Sequence, residues 1–158
     1  MEVRGPNVFK GYWKQSGKTK SEFRDDGYFI TGDMGFLDKD SYLTIVGRNK
    51  DLIITRGLNV YPKEIETVID TDSKVEESAV IGVSHPDFGE GIVAIIVEKK
   101  GHKIDHKVLH ATLQKNLATF KLPKKIHIIK ELPRNTMGKV QKNVLRDMYE
   151  DEFRKTNK

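Results

Sequence analysis

Lys139 closes the run Leu132-Pro133-Arg134-Asn135-Thr136-Met137-Gly138-Lys139, with a glycine immediately before it. Gly138 lets the backbone come close to a ligand, and a helix N-terminus is expected to follow. A lysine presented this way can neutralise phosphate or carboxylate charge as it develops in a transition state. The same residues also describe an exposed surface lysine, and local chemistry accommodates both. Two other spacings fail on inspection. Ser16-Gly17-Lys18-Thr19 resembles the end of a phosphate-binding loop, which needs a glycine five positions before its Gly-Lys pair. Tyr12 stands there, and Gly11 is off by one. His102, His106 and His110 recur every four residues, so two of them could share a helix face and bind zinc. His102 precedes the expected helix, however, and no carboxylate or Cys is in register to complete the set, so no metal site is expected.

The chain has 158 residues, 28 Lys+Arg, 23 Asp+Glu and no Cys, for a formal charge of +5. The missing Cys rules out disulfides, Cys-based metal sites and a Cys nucleophile, and it points to a reducing, cytoplasmic compartment. The longest aliphatic run, Ile92 to Val97, is far short of a membrane span. The first residues lack an apolar signal core, so no export signal is expected. Charge is unevenly spread. Residues 1–120 carry 17 basic and 18 acidic side chains, whereas residues 121–158 carry 11 and 5. Between Lys121 and Lys142 seven basic residues accompany the single acid Glu131. Such a stretch suits a polyanion such as a nucleotide, coenzyme A, nucleic acid or a lipid surface, or else it is a solvated lysine-rich face. Nucleic acid is disfavoured, because residues 121–142 contain no aromatic other than histidine on which bases could stack.

The elements that must carry these residues change character along the chain. Residues 1–49 are rich in Gly, aromatics and turns. Gly27 to Asp33 reads as a short strand between glycines, and Leu37 to Gly47 as a hairpin around Asp38-Lys39-Asp40-Ser41. Asp51 to Thr55 reads as a further strand. This first part has few apolar residues for a core of its own and reads as the margin of something larger. Pro62 opens a helix with an Ile65, Val68, Ile69 stripe. Ser78–Val83 and Ile92–Val97 read as strands, the second apolar on both faces and therefore central. Asp105 caps a helix with the stripe Leu109, Leu113, Leu117, Lys125–Ile129 is a third strand, and Val144, Leu145, Met148 and Tyr149 mark a final helix. The expected fold is α+β: a small three-stranded sheet with covering helices, preceded by β-hairpins.

Four segments taken together resemble a family. They are Tyr28-Phe29-Ile30-Thr31-Gly32-Asp33, Gly47 to Ile54, Arg56-Gly57-Leu58-Asn59-Val60-Tyr61-Pro62-Lys63-Glu64-Ile65-Glu66, and Pro133 to Lys139. In this order and spacing they resemble the carboxyl-terminal portion of the adenylate-forming enzymes: acyl-CoA synthetases, peptide-synthetase adenylation domains and luciferases. The fit is closest to malonyl-CoA synthetases, through Arg4 to Trp13, His85 to Gly91, and Leu132 to Asn143.

The resemblance implies a division into residues 1–49, the carboxyl-terminal edge of a large adenylation domain, and residues 50–158, a mobile small domain. It implies ATP, accompanied by Mg2+, and coenzyme A as reactants, with a small carboxylate activated through an acyl-adenylate. Asp33 would hydrogen-bond the ribose hydroxyls of ATP, with Arg48 beside it. Lys50 would be the hinge, Gly57 would line the pantetheine tunnel, and Lys139 would bridge the carboxylate and the α-phosphate. The phosphate loop, the adenine-stacking motif and the acyl pocket belong to the large domain and are not in this sequence, so the isolated chain is expected to be inactive. Ile30 stands where many members carry Arg or Lys, and Arg56-Gly57-Leu58 replaces two small residues and an aromatic, which would narrow the pantetheine path. Two other readings stay open: a free-standing small domain acting as a binding module, and a synthetase for acetate, a fatty acid or an aryl acid.

Overall fold

A computed structural model describes residues 1–154; the last four residues of the 50–158 assignment lie outside the described residues. The chain divides into two compact units, Met1–Lys50 and Asp51–Lys158.

The first unit is built from short pieces. Strand β1 (Glu2–Val3) pairs with β2 (Phe29–Ile30), and helix α1 (Ser16–Glu22) lies between them in sequence. The strand expected through Asp33 is cut at Gly32, whose φ of 72° turns the backbone. Asp33 instead opens β3 (Asp33–Leu37), which forms an antiparallel hairpin with β4 (Leu43–Arg48). The turn works as its residues suggest: the Asp38 carboxylate accepts the N–H groups of Asp40 and Tyr42, both at 2.9 Å, and Ser41 takes the left-handed conformation. Phe9 meets Tyr12, Phe23 and Phe29 edge-on, and Phe23 and Phe29 are tilted against each other, with centroids 5.1–5.4 Å apart. Among the described residues none in this unit is buried, and Phe36, Leu37, Leu43 and Ile45 of the hairpin are exposed.

The second unit holds the core. Strand β8 (Gly89–Glu98) is its spine. β7 (Val75–His85) pairs antiparallel along one edge of β8. On the other edge β9 (Lys125–Ile129) runs parallel to Val93–Val97, and β5 (Ile53–Thr55) meets Gly89. β6 (Leu58–Val60) pairs with β5 to complete a five-stranded sheet. The α+β class holds, but the sheet is wider than three strands. Ile53 and Val60 of the β5–β6 hairpin are buried beneath the same helices as the central strands, so the hairpin joins the sheet rather than standing apart.

Because β8 is apolar at every position from Ile92 to Val97, it serves both faces with a period of two. Ile92, Ala94 and Ile96 face α2 (Pro62–Ile69) and α3 (His106–Asn116), packing against Ile65, Ile69, Leu109 and Leu113. Val93, Ile95 and Val97 face α4 (Lys142–Met148) through Leu145, with Leu132 alongside. Pro62 sits at the first turn of α2, where its missing N–H leaves nothing unpaired. Asp105 caps α3 by accepting the N–H groups of Lys107 and Val108. No helix among the described residues is long and apolar enough to cross a membrane.

Candidate active site

The residues singled out by chemistry fall into two constellations, one on each unit. On the first, the β3–β4 register places Asp33 directly opposite Arg48, and Arg48 Nε donates to Asp33 Oδ1 at 3.0 Å. One carboxylate oxygen of Asp33 thus stays available for a hydroxyl donor. The backbone around it is fixed by two bonds: the Asp33 N–H donates to Thr31 Oγ1 at 3.0 Å and the Asn49 N–H to the Gly32 carbonyl at 2.9 Å. Asp33, Arg48 and Lys50 line one open cleft, together with Tyr12, Lys18 and Glu22.

Those last three were not expected there. The Tyr12 hydroxyl donates to Glu22 at 2.5 Å, a bond that raises the Tyr12 pKa because the neighbouring carboxylate stabilises the protonated phenol. Lys18 Nζ lies 4.1 Å above the Tyr12 ring. The false phosphate loop therefore has an explanation: Ser16 to Thr19 is the first half of α1, and its lysine packs on an aromatic ring of the cleft. Only the helical spacing of Lys18 and Glu22 could have signalled this placement.

His102 lies in the turn before α3, its Nδ1 3.2 Å from the Lys100 carbonyl, while His106 and His110 are exposed on α3. Lys50 sits in the short turn Asn49–Asp51, and the division between the two units follows it. Asp51, the next residue, accepts a 2.6 Å bond from Arg146 of α4, which anchors the start of the second unit.

On the second unit, Arg56 and Gly57 join β5 to β6 with φ values of 52° and 76°. Two successive left-handed residues define the hairpin turn that matches strand twist, and the second position suits glycine. A Cβ on Gly57 would meet no atom within 4 Å, so glycine is required there by its dihedral rather than by local crowding. Gly57→Ala is expected to destabilise the unit by about 1 kcal/mol, read as a lower denaturant midpoint at unchanged slope. An unchanged midpoint would mean the turn relaxes at no cost.

Lys139 stands on a loop that is tied together at nearly every residue. Leu132 is buried at its base. Arg134 bridges Val140 across the loop, and the Gln141 N–H reaches the Pro133 carbonyl at 2.8 Å. The Asn135 side-chain oxygen accepts the N–H groups of Met137 at 3.0 Å and Lys139 at 2.9 Å. The Asn135 backbone bonds the Lys139 carbonyl and the Gly138 N–H, both at 2.9 Å. Arg134 donates to the Gly138 carbonyl at 2.6 Å and forms an ion pair with Glu77 of β7. Gly138 takes the left-handed φ of 77° that closes the turn. The Lys139 backbone is thus fixed, and its side chain is exposed.

The basic segment divides in the same way. Lys121 pairs with Glu64 at 2.6 Å, Lys125 with Glu152 at 3.8 Å, Lys142 with Glu66 at 2.5 Å, and Arg134 with Glu77. Among the described residues, Lys124, Lys130 and Lys139 have no carboxylate within 4.0 Å.

Comparison with known proteins agrees with these motifs. Residues 64–139 match the family described as AMP-binding enzyme C-terminal domain. A 2-succinylbenzoate–CoA ligase from Geobacillus kaustophilus is 41% identical over 91% of this chain and 29% of its own length. A long-chain-fatty-acid–CoA ligase from Bacillus subtilis is 41% identical over 87% of this chain and 24% of its own length. The crystal structure of ATP-bound MatB from Rhodopseudomonas palustris is 60% identical and superposes with a TM-score of 0.88, covering 97% of this chain and 30% of that one. The chain spans less than a third of the length of the relatives it matches. Its matched region, residues 64–139, belongs to the AMP-binding enzyme C-terminal domain family, in a chain whose relatives are acyl-CoA ligases.

Proposed function

We propose that this chain works as the carboxyl-terminal part of an AMP-forming acyl-CoA synthetase, with residues 1–49 as the edge of its large domain and the remainder as a small domain that turns about Lys50. The observation that carries this reading is Lys139, an uncompensated cation whose backbone is held on both sides by Asn135. Such a group is pre-positioned to meet negative charge without reorganising. The exposed apolar face of the β3–β4 hairpin supports the assignment of the first unit, since a partner surface would cover Phe36, Leu37, Leu43 and Ile45.

In the first half-reaction Asp33 accepts the ribose hydroxyls of ATP while Arg48 orients its carboxylate. Lys139 neutralises the substrate carboxylate and the α-phosphate as the new O–P bond forms and pyrophosphate leaves. ATP would bring Mg2+ with it as counter-ion, and none of the residues named here is assigned to the metal. In the second half-reaction the small domain turns at Lys50, held beyond that point by the Arg146–Asp51 pair, and presents the Gly57 turn to the pantetheine arm. The thiol sulfur then attacks the acyl carbon, and AMP leaves. The need for ATP and coenzyme A supports a cytoplasmic location, where both are available.

For the acid we propose malonate. Three segments of the chain resemble malonyl-CoA synthetases, and identity to MatB, a malonyl-CoA synthetase, is 60%, against 41% for the succinylbenzoate and fatty-acid ligases. The test is ATP–pyrophosphate exchange by the whole enzyme. Malonate is expected to drive exchange well above 2-succinylbenzoate or a long-chain fatty acid, and the 158-residue chain alone is expected to show none. Preference for another acid overturns malonate, and exchange with no acid overturns the synthetase reading.

A further inference from the structure

Beyond α4 the chain turns back on itself. The Glu152 N–H donates to the Tyr149 carbonyl and the Arg154 N–H to the Asp151 carbonyl, both at 3.0 Å. Glu152 fastens this segment to β9, with Oε2 3.2 Å from His127 Nε2 and Oε1 3.8 Å from Lys125 Nζ. So fastened, Phe153 packs against the apolar layer of Val93, Ile95 and Leu145. Beneath its ring is Gly91 of β8, which shares a face with Val93 and Ile95 by the period of two. A Cβ on Gly91 would collide with Phe153 Cδ2, Cε2 and Cζ. The ring therefore fills the space that any side chain at position 91 would take. Gly91 is not among the glycines at positive φ, so it serves as a seat for the ring rather than as a turn residue.

The contacts of Phe153 continue beyond that seat. Its ring meets His85 with centroids 4.8 Å apart, and His85 is stacked on Phe88 at 4.2 Å with planes 9° from parallel. The Asp87 N–H donates to His85 Nδ1 at 3.1 Å and holds that imidazole in place. Phe88 then grips Arg56 twice. Its carbonyl accepts the Arg56 N–H at 2.8 Å, and the guanidinium carbon lies 4.0 Å from the centroid of its ring. Arg56 needs this grip. At φ 52° it occupies the first position of a turn that suits asparagine or glycine, and a strained residue persists only where its surroundings over-determine it. A row of three rings thus runs from the end of the chain to the residue before Gly57. Arg56 and Gly57 themselves stay exposed, so the row supports the turn without covering it.

We propose that Phe153 is a positioning residue: through His85 and Phe88 it sets the conformation of the Arg56–Gly57 turn, and with it the thioester-forming step but not adenylation. The assignment to that step rests on the synthetase reading; the coupling of Phe153 to the turn does not. The two half-reactions separate because Lys139 hangs from other contacts, the Asn135 side chain and the Arg134–Glu77 pair.

The test compares two substitutions made at opposite sides of one contact. Phe153→Leu keeps apolar bulk over Gly91 but has no ring to meet His85, and Gly91→Ala displaces the ring from its seat. In the whole enzyme each is expected to lower kcat/KM for coenzyme A about tenfold in thioester formation from supplied acyl-adenylate, and to leave ATP–pyrophosphate exchange at the wild-type rate. The double variant is expected to lose no more than either single one, because both remove the same interaction. In the isotopically labelled 158-residue chain, either substitution is expected to move the Arg56 and Gly57 amide resonances and leave those of α3 in place. Unmoved Arg56 and Gly57 resonances overturn the coupling. Moved resonances with unchanged thioester formation, or with equal loss in both half-reactions, overturn the role in that step. A whole enzyme with neither half-reaction sinks the synthetase reading, and moved resonances then leave the coupling standing.

Discussion

Lys139→Ala in the whole enzyme is expected to slow adenylation by about 10²- to 10³-fold and to leave thioester formation from supplied acyl-adenylate near the wild-type rate. The asymmetry follows from where charge develops. During adenylation a carboxylate attacks a phosphate, and a cation between them removes a repulsion that grows toward the transition state. In the second step as proposed, a thiol attacks an acyl carbon after the small domain turns, and that charge no longer falls at Lys139. Asn135→Ala separates position from charge. It removes the acceptor of the Met137 and Lys139 N–H groups but leaves the lysine in place. Adenylation is expected to fall by about tenfold, and Asn135→Asp, which keeps an oxygen acceptor, to recover most of it. Rapid-quench measurement of the two half-reactions checks both. Equal loss in both half-reactions for Lys139→Ala refutes the assigned role, whereas loss in Lys139→Ala with none in Asn135→Ala refutes only the positioning argument.

Periodicity exposed the core of the second unit because each of its elements makes one kind of contact. The alternation through Ile92–Val97 places three side chains on each face of β8, and the stripes of α2 and α3 point at one of those faces. Lys125–Ile129 ends where its apolar run ends. Asp51 to Thr55 reads as a strand, but β6 and the sheet that both strands join are not legible, because only Ile53 and Val60 of the β5–β6 hairpin are buried apolar residues. α1 escaped for a related reason. It buries nothing, so it has no apolar stripe to show.

The candidate site was legible only in part. Glycine and lysine spacing marked Lys139, but the bonds that hold it come from Arg134 and Asn135, which look like ordinary loop residues in sequence. Asp33 and Arg48 are 15 positions apart, and only the hairpin register brings them face to face. The basic segment shows the limit of charge counting most directly. Lys121, Lys125, Arg134 and Lys142 find carboxylates on α2, on β7 and after α4, far away in sequence, so four of seven charges are local ties rather than a polyanion surface. Lys124, Lys130 and Lys139 have no such partner among the described residues, and Lys139 is the one whose charge the proposed chemistry uses.

Glu66→Ala is expected to be the most destabilising of the substitutions considered. Glu66 sits on the buried side of α2, 7% exposed, in an otherwise apolar layer. Its Oε1 accepts the Val80 N–H of β7 at 2.9 Å and Lys142 Nζ of α4 at 2.5 Å. One carboxylate thus ties together a helix on one face of the sheet, a strand within it and a helix on the other face. Removing it leaves a buried N–H without a partner and an ammonium, itself largely covered, without its counter-charge. The expected loss is about 3 kcal/mol, seen as a lower denaturant midpoint with unchanged slope. Glu66→Gln keeps an oxygen for Val80 and loses only the charge facing Lys142, so its loss is expected to be about 1 kcal/mol. A change below about 0.5 kcal/mol in Glu66→Ala, the range of an ordinary surface substitution, would show that the tie carries no weight. The consequence reaches function through Lys142, the first residue of α4 and three positions beyond Lys139. With Glu77 holding Arg134 on the near side and Glu66 holding Lys142 on the far side, the lysine loop is suspended between two carboxylates. Loosening either one should therefore slow adenylation before it unfolds the domain.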